Sequence, residues 1–387
     1  MSLASNLEFL RNLRKLNGVS GLDGHAGPPP GASRLVETPA FGSNPGELRM
    51  WSYVPPELPP KAGLVVVLHG CTQTAAGYEL GAGWSTLARR YGFALLMPEQ
   101  TKANNARLCF NWFEPGDIQR GEGEPASIRA MVEQMVRTHG LDRKKIFVTG
   151  LSAGGAMSAV MLATYPDVFA GGAVIAGLPY GVANNVRQAL HAMMRPPSHT
   201  PRHLGDRVRH ASPHQGPWPK LSVWHGSADR TVHPANADQL VRQWLDLHGL
   251  PAAPMSQSVV DGHPRQVWWN EDGEPVVESY TIADMAHGTP LGIGENDERF
   301  GAQGAFLLEV GISSSYHIAK FFGLTGRVHL SKQAEKTMAH APGAEEIPQA
   351  TRAGSSRRDP PRDKPGGRLI DVSAVITKAL TAAGLMK

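Results

Sequence analysis

Short, almost wholly apolar runs alternate with helical patterns through the middle of this chain, and that alternation constrains its architecture more than any other feature. The runs cover residues 48–54, 64–68, 93–97, 145–149, 172–175, 221–224, 266–269 and 276–282. Leu64-Val65-Val66-Val67-Leu68 has no polar face, and a strand apolar on both sides has to be covered on both sides. Helical patterns at residues 126–139, 154–164 and 235–248 supply the covers. Strands and helices in this order specify an α/β fold with a mostly parallel sheet flanked by helices. The leading runs, 48–54 included, are expected to form an antiparallel edge.

The flanking segments read differently. Residues 1–16 set Leu3, Leu7, Leu10, Leu13 and Leu16 among Glu8, Arg11, Arg14 and Lys15, an amphipathic helix pattern rather than the unbroken apolar stretch of a secretory signal. A Gly/Pro linker follows, so residues 1–32 are expected to stand apart from a catalytic body over 33–330. Within the body, residues 184–218 are rich in Pro, His and Arg and are expected to form a loop-rich insertion above the sheet. Residues 306–322 carry another helical pattern. Residues 331–368 are expected to be a disordered linker. Residues 369–387, with Val372, Val375, Ile376, Ala379, Leu380 and Ala383 on one stripe, are expected to form a C-terminal amphipathic helix that docks on the body or a partner, contact with a granule surface being the sharper alternative.

Composition narrows the function classes. A content of 41% hydrophobic and 19% charged residues is that of an ordinary globular protein, and no stretch approaches the ~18 apolar residues of a membrane helix. The formal charge of +4 arises largely from Arg352, Arg357, Arg358, Arg362, Lys364 and Arg368, which argues for a basic tail and against nucleic acid as the partner. The two cysteines, Cys71 and Cys109, exclude a disulfide scaffold and a cysteine-rich zinc site, and leave one candidate bridge that would brace the loop after residue 68. His203, His210, His214 and His263 show no metal-ligand spacing and are expected to be exposed. No metal and no cofactor are expected.

Gly150-Leu151-Ser152-Ala153-Gly154 lies between the apolar run 145–149 and the helical pattern 154–164, so it reads strand, sharp turn, helix. A chain with 43 glycines produces such a pattern by chance often enough that its context must carry the weight. A serine hydroxyl needs a base, and the base needs an acceptor on its far nitrogen. In α/β-hydrolase topology the chain order is serine, acid, histidine. Asp229 follows the run 221–224 and His287 follows 276–282, which puts both in loops beyond strand ends, where ligands gather in open α/β sheets. Asp284 is the reserve acid. His69 and His225 also adjoin strand ends, each followed by Gly, and are expected to pack and hydrogen-bond within their loops. The attacked carbonyl oxygen becomes negative and needs two backbone donors. The amide of Ala153 is one, and the amide of Cys71, in the loop after residues 64–68, is the candidate for the other.

Leu68-His69-Gly70-Cys71-Thr72-Gln73, Cys109-Phe110-Asn111-Trp112-Phe113, Gly150-Leu151-Ser152-Ala153-Gly154-Gly155, His225-Gly226-Ser227-Ala228-Asp229 and His287-Gly288-Thr289-Pro290 together resemble the polyhydroxybutyrate depolymerase family of serine esterases. The resemblance runs from about residue 45 to 323. It implies an α/β-hydrolase fold and cofactor-free hydrolysis of carboxylic esters, among them short-chain hydroxyalkanoate polyesters or oligomers. By position, Ser152, Asp229 and His287 match the family triad, Cys71 and Ala153 its oxyanion donors, and Trp112 an aromatic beside the cleft. The related feruloyl and acetylxylan esterases make aromatic or acetyl esters the alternative substrates, and a non-catalytic granule- or partner-binding protein is the alternative from another class. Secreted polymer-degrading members usually carry a signal peptide and a substrate-binding domain. Neither is legible here, which favours a cytoplasmic location, whereas the resemblance itself favours an extracellular one.

Overall fold

The computed structural model describes residues 33–196, 198–292 and 300–326. The expected N-terminal helix and linker, the linker at 331–368 and the C-terminal helix lie outside the described residues. Among the described residues, ten strands form one sheet. From edge to edge they run β1 (Val36–Glu37), β2 (Arg49–Tyr53), β4 (Ala94–Glu99), β3 (Leu64–Leu68), β5 (Ile146–Leu151), β6 (Gly171–Ile175), β7 (Lys220–Gly226), β10 (Pro275–Ile282), β9 (His263–Trp269) and β8 (Ser256–Val260). The strands from β4 to β10 in that order are mutually parallel. β2 is antiparallel to both its neighbours, as is β9, so each edge of the sheet ends in antiparallel pairing.

The continuous apolar runs are strands because both faces are covered. Leu64, Val66 and Leu68 pack with α3 (Gly123–His139), α4 (Ala153–Thr164) and α7 (Ala235–His248) through Ile128, Met131, Val160 and Leu240. Val65 and Val67, on the other face, join α1 (Ala75–Ala82), α2 (Trp84–Tyr91) and α8 (Ser314–Phe321) through Tyr78, Leu87 and Ile318. All five β3 side chains are fully buried, and each contributes roughly 1.5–3 kcal/mol of transfer free energy.

Strand order fixes where a ligand can sit. From β3 the chain moves to β4 on one side, then crosses back to β5 on the other and continues to β6, β7 and β10. The reversal falls between β3 and β5, and the crevice of an open α/β sheet opens outside the carboxyl ends of the strands at such a point. The loops after β3 and β5 are residues 69–73 and the turn at Ser152.

Segment 184–218 is the crossover from β6 to β7. It contains α5 (Val186–Met194), capped by Asn185, and α6 (Pro201–Arg209), which has Thr200 as its cap and proline in its first turn. Gln243 of α7 donates to the Leu204 carbonyl at 2.9 Å, which ties α6 to α7. Three expectations need correction. Residues 306–322 are not one helix. Leu307–Glu309 form β12, paired in parallel with β11 (Thr289–Leu291) as a separate two-stranded sheet, and the helix starts only after Ser313, whose hydroxyl accepts the Tyr316 amide. His263 is not exposed but buried, its Nε2 bonded to the Val310 carbonyl at 2.9 Å and its Nδ1 accepting the Ala283 amide at 3.3 Å. His203 and His210 are exposed, whereas His214 is half-buried against the Pro217 carbonyl.

The β7–β10–β9 strip buries a carboxyl group. Glu278 Oε1 accepts the Ser222 hydroxyl at 2.7 Å, and Oε2 accepts Arg265 Nε and Nη2 at 2.9 and 2.7 Å. Burial pushes the Glu278 carboxyl above its usual range, and Arg265 opposes that rise. A carboxyl whose folded value is raised stabilises the fold below its unfolded value and loses that contribution as pH climbs through the folded one. Arg265→Met removes the opposing charge, so it is expected to cost about 3–5 kcal/mol at pH 8 and clearly less at pH 5, measured by urea unfolding. An equal loss at both pH values contradicts this account.

Candidate active site

Ser152 alone makes the turn from β5 to α4, with φ 57° and ψ −116°. That conformation is strained for any residue with a side chain. It is held by the Ser152 amide donating to the Ile175 carbonyl at 2.9 Å and the Ser152 carbonyl accepting the Ala156 amide at 2.8 Å. The flanking glycines are there because backbone meets backbone. A Cβ on Gly150 would lie 2.7 Å from the Leu68 carbonyl oxygen, and one on Gly154 would overlap the carbonyl oxygens of Leu68 and His69. The first turn of α4 thus lies directly on the end of β3. The Ser152 side chain makes no hydrogen bond among the described residues, and it is not bonded to His287. Such bonds are commonly long without a substrate present.

Asp229 and His287 come from two loops knitted together beyond β7 and β10. The Ser227 amide donates to Ile282 at 2.9 Å, the Ala228 amide to Met285 at 3.0 Å, and the Asp284 amide to the Ser227 hydroxyl at 2.9 Å. Asp229 is buried. Its Oδ1 accepts the amides of Thr231 and Val232 at 2.8 and 2.9 Å, and its Oδ2 accepts His287 Nδ1 at 2.7 Å. Burial pushes the Asp229 carboxyl up, but hydrogen bonds from His225 and His287 outweigh it and hold the group far below the usual carboxylate range. A carboxylate that accepts from Nδ1 fixes that hydrogen and leaves Nε2 as the basic nitrogen. Phe306 packs edge-on to the His287 ring at 5.9 Å. The reserve acid Asp284 is exposed, and its carboxylate has no hydrogen bond among the described residues.

The loop after β3 is braced on three sides. His69 is fully buried, donates from Nδ1 to the Gly70 carbonyl at 2.8 Å and accepts the Gln100 amide on Nε2 at 3.1 Å. Burial holds its imidazole below the usual range. Gln73 accepts the Gly70 amide on its side chain at 2.8 Å, and the Thr72 amide donates to Arg107 at 2.7 Å. Cys71 is joined to Cys109 by a disulfide. The amides of Cys71 and Ala153 have no acceptor among the described residues, so both are available to a ligand. Trp112 is 6% exposed and set edge-on to Phe113, centroids 5.4 Å apart, so it presents no open ring face. No group of three His, Cys, Asp or Glu among the described residues is placed to hold a metal ion.

Sequence reasoning missed Glu124, in the first turn of α3. It is fully buried, and it accepts the Asn111 amide at 2.9 Å and Gln100 Nε2 at 2.6 Å. Gln100 Nε2 also donates to the Cys109 carbonyl at 3.0 Å. Glu124 therefore ties the Cys109–Trp112 segment to the end of β4. Burial, reinforced by Asp117, pushes its carboxyl well up. In sequence it reads as an ordinary first-turn acid, with no signal of its distant partners.

Residues 49–262, more than half of the chain, match the family model described as Esterase PHB depolymerase. The chain belongs to the PHB depolymerase esterase family. It is 48% identical over 293 residues to poly(3-hydroxyalkanoate) depolymerase C of Paucimonas lemoignei, an alignment covering 76% of this chain and 70% of that protein. It is 33% identical over 272 residues to an acetylxylan esterase of Coprinopsis cinerea, covering 67% of this chain and 70% of the other. Among solved structures it is similar to the acetyl xylan esterase from Aspergillus awamori, with a TM-score of 0.64 and 25% identity, covering 76% of this chain and all of that one. This PHB depolymerase family member is an ester hydrolase with an α/β-hydrolase fold.

The close approach at the Ser152 turn has a measurable consequence. Gly154→Ala is expected to lower stability by roughly 1–3 kcal/mol in urea unfolding, because the added methyl has only backbone to displace. Gly116→Ala, where a Cβ meets nothing within 4 Å, is the control and is expected to stay within about 0.5 kcal/mol of the parent. Equal effects at the two sites would contradict the packing described.

Proposed function

We propose that Ser152, His287 and Asp229 are the nucleophile, base and acid of a serine esterase that hydrolyses short-chain 3-hydroxyalkanoate polyester or its oligomers. The observation that carries the proposal is the 2.7 Å bond from His287 Nδ1 to buried Asp229, in loops on the same sheet edge as the strained Ser152 turn. His287 Nε2 takes the Ser152 hydroxyl proton as Oγ attacks the ester carbonyl. The tetrahedral oxyanion is met by the amides of Cys71 and Ala153, each donor worth roughly 3 kcal/mol in the transition state. Collapse expels the alcohol, which takes the proton back from His287 and leaves an acyl-serine. Water, deprotonated by His287, then releases the hydroxy acid and regenerates Ser152.

The name of the 48% identical relative supports the polyester substrate over acetyl or feruloyl esters. Burial of Trp112 adds to that, because a cinnamoyl ring finds no exposed indole face to stack on. The Cys71–Cys109 disulfide supports an oxidising compartment, and hence an extracellular site of action.

Ser152→Ala is expected to lose at least ~10⁵-fold in kcat on p-nitrophenyl butyrate while its unfolding transition is unchanged. Retained hydrolysis in that variant refutes the triad. The parent is expected to cleave hydroxybutyrate oligomers faster than methyl ferulate, and the reverse order refutes the substrate assignment alone.

A further inference from the structure

His225 closes β7 four residues before Asp229, and the reaction above gives it no role. Its side chain is 4% exposed. Its Nε2 lies 2.8 Å from the Val232 carbonyl oxygen and 3.3 Å from Asp229 Oδ2, the same oxygen that accepts His287 Nδ1. Both neighbours of Nε2 are acceptors, so Nε2 carries the hydrogen: it bonds the Val232 carbonyl and stands within ion-pair reach of Asp229 Oδ2. Nδ1 is then the bare nitrogen, and it is buried without a hydrogen-bond partner among the described residues. Burying an unpaired polar atom costs stability. An apolar side chain of similar size would fill the space without that cost, so packing does not account for an imidazole here. What the imidazole supplies is the hydrogen on Nε2.

We propose that His225 is a positioning residue that holds Asp229 in the orientation His287 uses. The proposal rests on the triad reading. Asp229 Oδ1 is already fixed by the amides of Thr231 and Val232. His225 secures the opposite oxygen, and by holding the Val232 carbonyl it pins the turn that supplies one of those amides. The carboxylate is gripped on both oxygens, so Oδ2 keeps its place as His287 gains and loses a proton on Nε2. His225 thus acts through Asp229 and His287 without touching substrate.

The test compares His225→Gln with His225→Leu. The glutamine amide reaches about as far as imidazole Nε2 and keeps an N–H, whereas leucine fills space and donates nothing. On p-nitrophenyl butyrate, His225→Leu is expected to lose kcat by at least ~10-fold with KM within about twofold of the parent, while His225→Gln keeps kcat within about threefold. Wild-type kcat in His225→Leu, or equal losses in both variants, overturns the proposal. If neither variant folds, ¹⁵N-histidine NMR of the parent and Asp229→Asn decides. The His225 Nε2–H signal is expected to move together with the His287 Nδ1–H signal, and an unmoved His225 signal overturns the proposal. Failure of the triad registers separately, as activity retained in Ser152→Ala, and the link from His225 to Asp229 is then judged on the NMR result.

Discussion

The closest approach on which this site depends is between two stretches of backbone. The first turn of α4 lies on the last carbonyls of β3, and it does so because Gly150 and Gly154 have no Cβ to hold them apart. That contact makes the turn at Ser152 sharp enough to force φ to 57°, and it brings the free amide of Ala153 to the strand whose following loop carries the free amide of Cys71. The strand order does the rest. β3 and β5 are neighbours at the place in the sheet where the direction of winding reverses, so the loop carrying Cys71 and the turn at Ser152 follow adjacent strands, at the point where an open α/β sheet offers a crevice.

A second dependence is electrostatic. Asp229, Glu124 and Glu278 are buried carboxylates that differ in what surrounds them. Asp229 is bonded by two backbone amides and faces two imidazoles, and the imidazoles outweigh burial, so its value falls. The stability it contributes is therefore present above the unfolded carboxylate range and is lost only as pH falls through the lower folded value. Glu124 and Glu278 are raised by burial, so their contributions run the other way and fade as pH rises through their folded values. The charge meant to be permanent is the one given the most donors. Glu124, with neutral donors from Asn111 and Gln100, serves to hold the Trp112 loop in place.

Most of the parallel strands were legible because they are apolar on both faces, a pattern only a covered sheet accommodates; β7 and β10 interleave polar residues such as Ser222 and Glu278 but keep enough apolar neighbours to read as strands. Asp229 and His287 were legible for a related reason, as each follows such a strand by a few residues. Elements lacking that pattern were not. β8 is a largely exposed edge strand with no alternation to find. α1 packs small residues around two glycines and shows no continuous stripe, and the stripe of α2 (Trp84, Leu87, Ala88, Tyr91) spans only eight residues. Residues 306–322 kept a helical period through Leu307, Leu308 and Ile318, yet Gly311 at φ 81° and the Ser313 cap end one element and start another. Glu124 and the contact of His225 with Asp229 depend on partners that local sequence does not reveal. His263 lies next to a turn, which favours exposure, but its loop folds back onto Val310.

The proposed reaction requires Ser152, His287 and the amides of Cys71 and Ala153 to form one geometry around a tetrahedral centre. A crystal structure of the protein inactivated with diethyl p-nitrophenyl phosphate tests this most directly. The phosphorus is expected on Ser152 Oγ, with its non-ester oxygen roughly 2.7–3.1 Å from both amide nitrogens and His287 Nε2 facing an ester oxygen. Phosphorus on any other residue, or a phosphoryl oxygen turned away from the Cys71 and Ala153 amides, would contradict it.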